Sequence, residues 1–421
     1  MSITVPSNNV VASSIPSPNP VRPQGGNDIL VGGTGGLASA RWQDKDGNGK
    51  IDIEVDMGDE EGEHFSGLGM TGYNAPNEAQ QRELRQQMGL MTNDVNVTFH
   101  KKGDIANPDG KIKIGSFQQN TTQNSDVVSY TPTDSSKPVE VYFNGNEEEN
   151  PTISLPDGYN KGGNTLTRAL LYAMGVTPPK PVEEGGTRDS LGYSALSPQS
   201  ETTTGHDFKG KPVTSPQIDD KGQLEKLFGV NTSVKDKTFE LHELGKDGWG
   251  ATLSISSGVA GHETLDASAD TNDQVINLKP GKFSSVKGYK DNVSITPGTV
   301  VEDVKTGSGT NRIYPNAGAN TITLGTGENT VVYEQEWDGS PARQDKIIGF
   351  KTGVDKLDVS NLWTYPPYMR FEVETNADGS TWVKGWSGAD KSGPAPDKVP
   401  DFLLRADGAQ RSDLILNAIG I

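Results

Sequence analysis

The chain has 421 residues, a formal net charge of −18, 51 Gly, 26 Pro and no Cys. Its length allows two or three domains with sizeable cores. The acidic balance repels nucleic-acid phosphate and anionic membranes and suits cations such as calcium. The missing Cys exclude disulfides, thiolate metal sites and cysteine nucleophiles.

Residues 1–40 are rich in Ser, Pro, Asn and Gly and read as a flexible arm. Their start, "MSITVPSNNVVASSIPSPNP", lacks a basic stretch followed by an apolar core, so no cleavable signal peptide is expected there. No apolar run of about 18 residues occurs, so no membrane span is expected. Within the arm, "GGNDILVGGTGG" is one copy of a glycine-rich nonapeptide pattern, and one copy cannot build a stacked solenoid.

"DKDGNGKIDIEVDMG" follows. Asp44, Asp46, Asn48 and Asp52 are spaced so that a tight loop, turned by Gly49, points several hard oxygen ligands at one calcium ion. Val55 stands where a full EF-hand has Glu, and "IDIEVDM" reads as a strand. The alternative is an acidic turn before a strand. Asn77 to about Met88 reads as a helix ending near a glycine. "DVNVTFHKK", "GKIKIGSF" and "KPVEVYFNG" alternate like strands. "NTLTRALLYAMGV" reads as a helix over 165–175 with Asn or Thr capping it, and "KGQLEKLFG" as another.

Beyond residue 235 the pattern is all-β. "GSGTNRIYP", "NAGANTITL" and "GTGENTVVY" repeat with a nine-residue period that aligns Gly309, Gly318 and Gly327, then Asn311, Asn320 and Asn329, then Ile313, Ile322 and Val331. Such a repeat builds a β-roll. Neutral Asn at the position that usually holds Asp makes Asn311, Asn320 and Asn329 weak calcium candidates at best, with a hydrogen-bonded ladder as the alternative.

Together these segments resemble the serralysins, secreted bacterial zinc metalloproteases of the metzincin group with a C-terminal β-roll domain. The resemblance runs from about residue 50 to 416 and rests on collinear stretches: "DVNVTF", "SPQIDDKGQLEKLFGVN", "DQVINLKPGKFSSVKGYKDNVSITPGTVVEDVKTGSGTN", "QDKIIGFKTGVDKLDVSNL" and "VPDFLLRADG". It implies an α+β fold. A metzincin-like domain with a mixed sheet and few helices would cover 41–234. An all-β domain with a short β-roll and a β-sandwich would cover 235–421.

The family's His-Glu-x-x-His-x-x-Gly-x-x-His motif uses three imidazoles to hold zinc and Glu as base. Aligned on it, Arg168, Ala169, Tyr172 and Pro178 replace the first His, the Glu, the second His and the third His, and only the turn glycine, Gly175, remains. Arg offers no lone pair and Ala no base. Leu196 and Pro198 replace the family's turn Met and its nearby Tyr. The reading is therefore of a serralysin-like chain that is not an enzyme and holds no zinc. In it Arg168 pairs with an acidic residue, and Tyr172 supplies a hydroxyl to plug the vacated site. The "HELGK" at His242 is a chance match that lacks its second His.

The resemblance also implies a calcium site at Asp345, Asp355 and Asp358. It further implies secretion through a type I exporter that reads a C-terminal signal, with "SDLIL" at Ser412–Leu416 matching and "NAIGI" extending past it. The expected function is that of a secreted protein-binding or effector protein, its partner an unidentified host or competitor protein. "KPVEVYFNGNEEEN" is the expected edge segment for strand addition. Two alternatives are a calcium-dependent structural or adhesive protein and a residual or repurposed hydrolase.

Overall fold

The computed structural model describes residues 28–32, 42–121, 125–146, 161–181, 184–233, 236–245, 250–257, 262–362, 369–387 and 399–416. They are mixed α/β, with few helices and many strands. The chain divides into two compact units, residues 1–231 with 245–254, and 232–244 with 255–421.

In the first unit the strands of the main sheet are β1 (Ile29–Gly32), β2 (Ile51–Asp56), β3 (Val97–Lys101), β4 (Gly110–Phe117), β5 (Val127–Thr131) and β6 (Val139–Asn144). The helices are α1 (Glu78–Asp94), α2 (Lys161–Ala173) and α3 (Ile218–Phe228). One six-stranded sheet runs in the order β1-β5-β6-β4-β2-β3. β2, β3, β4 and β6 are parallel, β5 runs antiparallel to β6, and β1 runs parallel to β5. The core is apolar because both faces of the central strands are covered: Ile53, Ile112, Ile114, Val141 and Phe143 are each at most 1% exposed.

Two sequence expectations change here. The "EVYFN" stretch is not an edge, because β6 lies between β5 and β4 with all six residues buried; "EEEN" lies outside the described residues. The arm is not uniformly loose, because Ile29–Gly32 pairs with β5 from Ile29↔Val128 to Gly32↔Thr131. That segment joins the first unit's sheet and no solenoid.

Helix α1 runs past Gly89 to Asp94, because Leu84, Met88 and Met91 form one buried stripe that outweighs the glycine penalty. Asn77 caps it reciprocally with Gln80. Helix α2 begins at Lys161, so Asn164 is an internal residue and no cap; its side chain donates to the Val213 carbonyl at 2.7 Å. Leu166, Ala169 and Leu170 of α2 are fully buried, and the helix packs on β5 and β6.

The second unit contains β7 (Thr238–Glu240), β8 (Thr264–Asp266), β9 (Gln274–Asn277), β10 (Asp303–Lys305), β11 (Asn311–Tyr314), β12 (Thr321–Thr323), β13 (Asn329–Val332), β14 (Asp345–Ile348), β15 (Lys356–Asp358), β16 (Met369–Thr375), β17 (Thr381–Ser387), β18 (Phe402–Ala406) and β19 (Leu414–Ile415). The two larger sheets run β16-β17-β18-β14-β12-β10-β8-β7 and β9-β11-β13-β15-β19, and the short strands Phe283–Ser284 and Val293–Ile295 pair antiparallel in a smaller one. Successive nine-residue repeats alternate between the two larger sheets: Ile313 is on β11, Ile322 on β12 and Val331 on β13.

Parallel register stacks Leu265, Val304, Ile322 and Ile347 in one sheet. It stacks Ile276, Ile313, Val331, Leu357 and Leu414 in the other. All nine are buried, so the repeat places one core residue per strand.

Candidate functional site

Helix α2 presents Arg168 and Tyr172 one turn apart on one face, as i, i+4 spacing requires. The Arg168 guanidinium donates through Nε to Asp28 Oδ2 at 2.9 Å and through Nη2 to Asp28 Oδ1, a two-point clamp on the carboxylate. Nη1 donates to Asn164 Oδ1 at 3.2 Å, and Asp126 Oδ2 lies 3.6 Å from Nη2. The Tyr172 hydroxyl donates to Asp28 Oδ2 at 3.0 Å.

The Arg168 and Asp28 side chains are 3% and 10% exposed. Burial lifts the Asp28 carboxyl above its ordinary range, while the Arg168 charge and the two donors pull it back. Burial opposes the Arg168 charge as well, but the facing carboxylates, Asp28 first, outweigh it and keep the guanidinium protonated. Burial also pushes the Tyr172 hydroxyl well above its usual value, so it remains a donor. Asp28 closes this network from just before β1, across 140 residues of sequence.

The other motif positions are structural. Ala169 is fully buried in the helix packing. Gly175 has φ of 83° and turns the chain after α2, its N–H donating to the Tyr172 carbonyl at 3.0 Å. Pro178 is partly buried in the segment that follows. Leu196 is buried and Pro198 partly so. Their turn is held by Asp220 in the first turn of α3, which accepts from Ser194 Oγ at 2.5 Å, Ala195 N at 2.7 Å and Gln217 N at 2.9 Å.

Burial raises Asp220 to about 6. For an acid raised on folding, the native state holds the proton more tightly than the unfolded chain does. The ionisation cost is therefore absent below about pH 4 and complete above about pH 6. Wild type measured against Asp220→Asn should lose roughly 3 kcal/mol of relative stability between pH 4 and pH 7 in urea titrations. A pH-independent difference would refute the assignment.

A zinc ion does not fit this face. Among the described residues no group of three or more His, Asp or Glu stands ready for a metal. The two side chains aimed outward from α2 are a guanidinium without lone pairs and a hydroxyl already committed to Asp28.

The histidines serve elsewhere: His64 bonds Glu140 and stacks on Tyr130, and His100 bonds Asp52. His206 bonds Thr204, and His242 sits in a single 3-10 turn beside Glu240 and Glu243. A separate open cavity of about 1200 Å³, bordered by Asp56, Asn77, Arg85, His100 and Lys102, shares no residue with the Arg168 network.

The calcium candidates fall into three arrangements. In the acidic turn, Asp44 accepts from Gly47 N at 2.7 Å and Gly49 N at 2.8 Å, and the Asn48 amide bridges Asp46 and Asp52 at 3.0 Å each. The turn thus gathers all four side chains, with a donor at its centre. In the second unit, Asn311 Nδ2 donates to Gly307 O at 2.9 Å and to Asn329 Oδ1 at 2.8 Å; Asn329 Nδ2 donates to Gly327 O and to Asp355 Oδ1, each at 2.9 Å. Asn320 Nδ2 reaches Glu302 O at 3.1 Å and Asn316 Oδ1 at 3.1 Å, and its backbone N–H reaches Asp345 Oδ1 at 2.8 Å.

Asp345, Asp355 and Asp358 are not brought to one centre. Asp345 is buried on Tyr333 and Asn320, and burial puts its carboxyl well above the usual range. Asp355 takes Asn329 and Lys351 N, and Asp358 takes Ser360 and Arg312.

The sequence reading missed Asp28, Asp126, Asn164 and Asp220. The one available signal was the apolar run "DILV" inside a polar arm, which is the composition of a strand and not of a linker.

Residues 253–421 match the family model described as Peptidase M10 serralysin C terminal. Over 83% of this chain and 79% of the relative, the chain is 28% identical to Metallopeptidase AprA of Pseudomonas marginalis. It is 28% identical to Serralysin A of Dickeya chrysanthemi over 76% and 74%, and 27% identical to Serralysin of Photorhabdus laumondii over 80% and 76%. The chain is thus similar to serralysins over most of its length, and its residues 253–421 match their C-terminal domain. These names overturn the expectation that it is not an enzyme, since relatives matched over three quarters or more of its length are called metallopeptidase and serralysin.

Proposed function

We propose that this serralysin-type chain works by holding an extended segment of a protein partner along β5, beside a helix that carries an Arg–Tyr pair in place of zinc ligands. The observation behind this is that β5 already takes an extended segment in register over four residue pairs, and main-chain pairing of this kind needs no metal. On this reading, α2 does not supply a zinc centre for any peptide hydrolysis the chain performs. The first unit is then a metzincin-like domain with its metal-facing helix rebuilt, and the parallel ladders of the second unit are a β-roll. A photo-crosslinking residue at Thr131 on β5 should give adducts with the partner, and one at Glu372 on β16 should not. The reverse pattern would refute the reading.

The same reading makes the chain an extracellular protein exported by a type I system that reads the C-terminal segment before folding. No described helix is long and apolar enough to cross a membrane. In the folded chain Asp413 of "SDLIL" is tied to Thr352 Oγ1 and Gly353 N, so that segment is available to an exporter only when unfolded.

Calcium belongs at the Asp44–Asp52 turn on this account. There a rotation of the Asn48 amide turns a carbonyl oxygen toward the three carboxylates. In the ladder the Asn amides point N–H groups at the carbonyl oxygens a cation would need. Calorimetric titration should therefore show a calcium site that Asp44→Asn abolishes and Asn329→Ala leaves. Loss only in Asn329→Ala would place calcium in the ladder instead.

A further inference from the structure

The β5 edge carries an occupant of defined chemistry, the chain's own segment Asp28–Gly32. β1 pairs in register with β5, while the residue just ahead of it inserts a carboxylate between Arg168 and Tyr172. The receiving groups are built for an anion. They comprise a guanidinium 3% exposed, a hydroxyl held protonated, and Asn164, which accepts from the far side of the guanidinium and fixes its plane. Asp126 Oδ2 lies 3.6 Å from Nη2, a longer pair than the two-point clamp on Asp28. An Arg this buried needs a full counter-charge, so the site selects for a carboxylate.

The segment that meets this need is short, five residues from Asp28 to Gly32.

We propose that α2 and β5 form a receptor for an extended peptide carrying an aspartate at its head, and that residues 28–32 are a built-in competitor that keeps the receptor closed until such a partner displaces them. This rests on the reading of β5 as the partner-holding edge and adds the ligand chemistry and the control. The partner is a protein with an Asp leading a short extended run, docking parallel to β5.

The test uses the full chain and a fluorescent peptide of sequence QGGNDILVGGT. Anisotropy should show no saturable binding to wild type, whose receptor is filled. Full chains carrying Asp28→Asn, or Leu30→Gly with Val31→Gly as a second way of loosening the arm, should bind it. The same peptide with Asn for Asp should bind those chains at least tenfold more weakly.

Equal binding of both peptides would overturn the carboxylate receptor while leaving strand addition at β5 intact. Absence of binding to either loosened chain, each shown folded by circular dichroism, would overturn both. Equal binding to wild type and loosened chains would overturn the built-in competitor. Concentration-dependent dimers of wild type that Asp28→Asn abolishes would make the occupant a second copy's arm and overturn the partner assignment.

Discussion

Asp28→Asn is expected to lower the unfolding free energy by about 3–5 kcal/mol, the usual cost of removing one partner from a buried ion pair. The reason lies in what remains. Arg168 cannot shed its proton, its nearest remaining carboxylate would be Asp126 at 3.6 Å, and one amide oxygen would have to serve the donors that two carboxylate oxygens now accept. Tyr172→Phe removes one donor and should cost about 1 kcal/mol. Replacing both charges, as Asp28→Leu with Arg168→Met, should recover most of the loss, because an apolar pair carries no desolvation penalty. Urea unfolding of the three variants separates these cases. A cost for Asp28→Asn within about 0.5 kcal/mol, the range of an exposed surface change, would mean that the pair is open to water and does not close the face of α2.

The second large effect belongs to the ladder. A Cβ added to Gly325 would lie 2.0 Å from the carbonyl oxygen of Gly307, and one on Gly327 would lie 2.0 Å from that of Gly309. Both neighbours are backbone atoms of the strand turn one layer below, so no side chain can swing away. Gly325→Ala should therefore cost about 3 kcal/mol or more, at the upper end of overpacking effects, and lower the melting temperature. Gly298→Ala is the control, because a Cβ added there meets nothing within 4 Å, and it should stay within about 0.5 kcal/mol of wild type. Equal melting of the two variants would show that the layers are not stacked this closely.

These two cases show which parts of the molecule can be read from the sequence. The nine-residue period placed Ile313, Ile322 and Val331 in one repeated role. The structure gives them that role on strands of alternating sheets, since local periodicity records which residues face inward but not which sheet receives them. That Arg168, Ala169 and Pro178 carry no metal-binding or basic side chain is equally plain, because ligand chemistry is a property of residue type.

The acid that answers Arg168 was not legible. Asp28 is 140 residues away in an arm whose composition reads as linker, and only strand pairing with β5 brings it to α2. The misplacement of "EVYFN" at an edge has a similar cause. Strand order depends on long-range pairing, and a fully buried strand and an edge strand can share the same alternating pattern. Helix α1 outlasted its glycine for a packing reason, since Met91 lies on the same buried stripe as Leu84.

On the proposed reading, Arg168, Asp28 and Tyr172 close the face of α2 that would otherwise meet a metal ion. Metal analysis of the full chain, purified without chelator and dialysed against zinc, tests it most directly when run beside Arg168→Ala and Tyr172→Ala. The account predicts no stoichiometric zinc in the wild-type chain. One zinc per chain, lost in either variant, would contradict it.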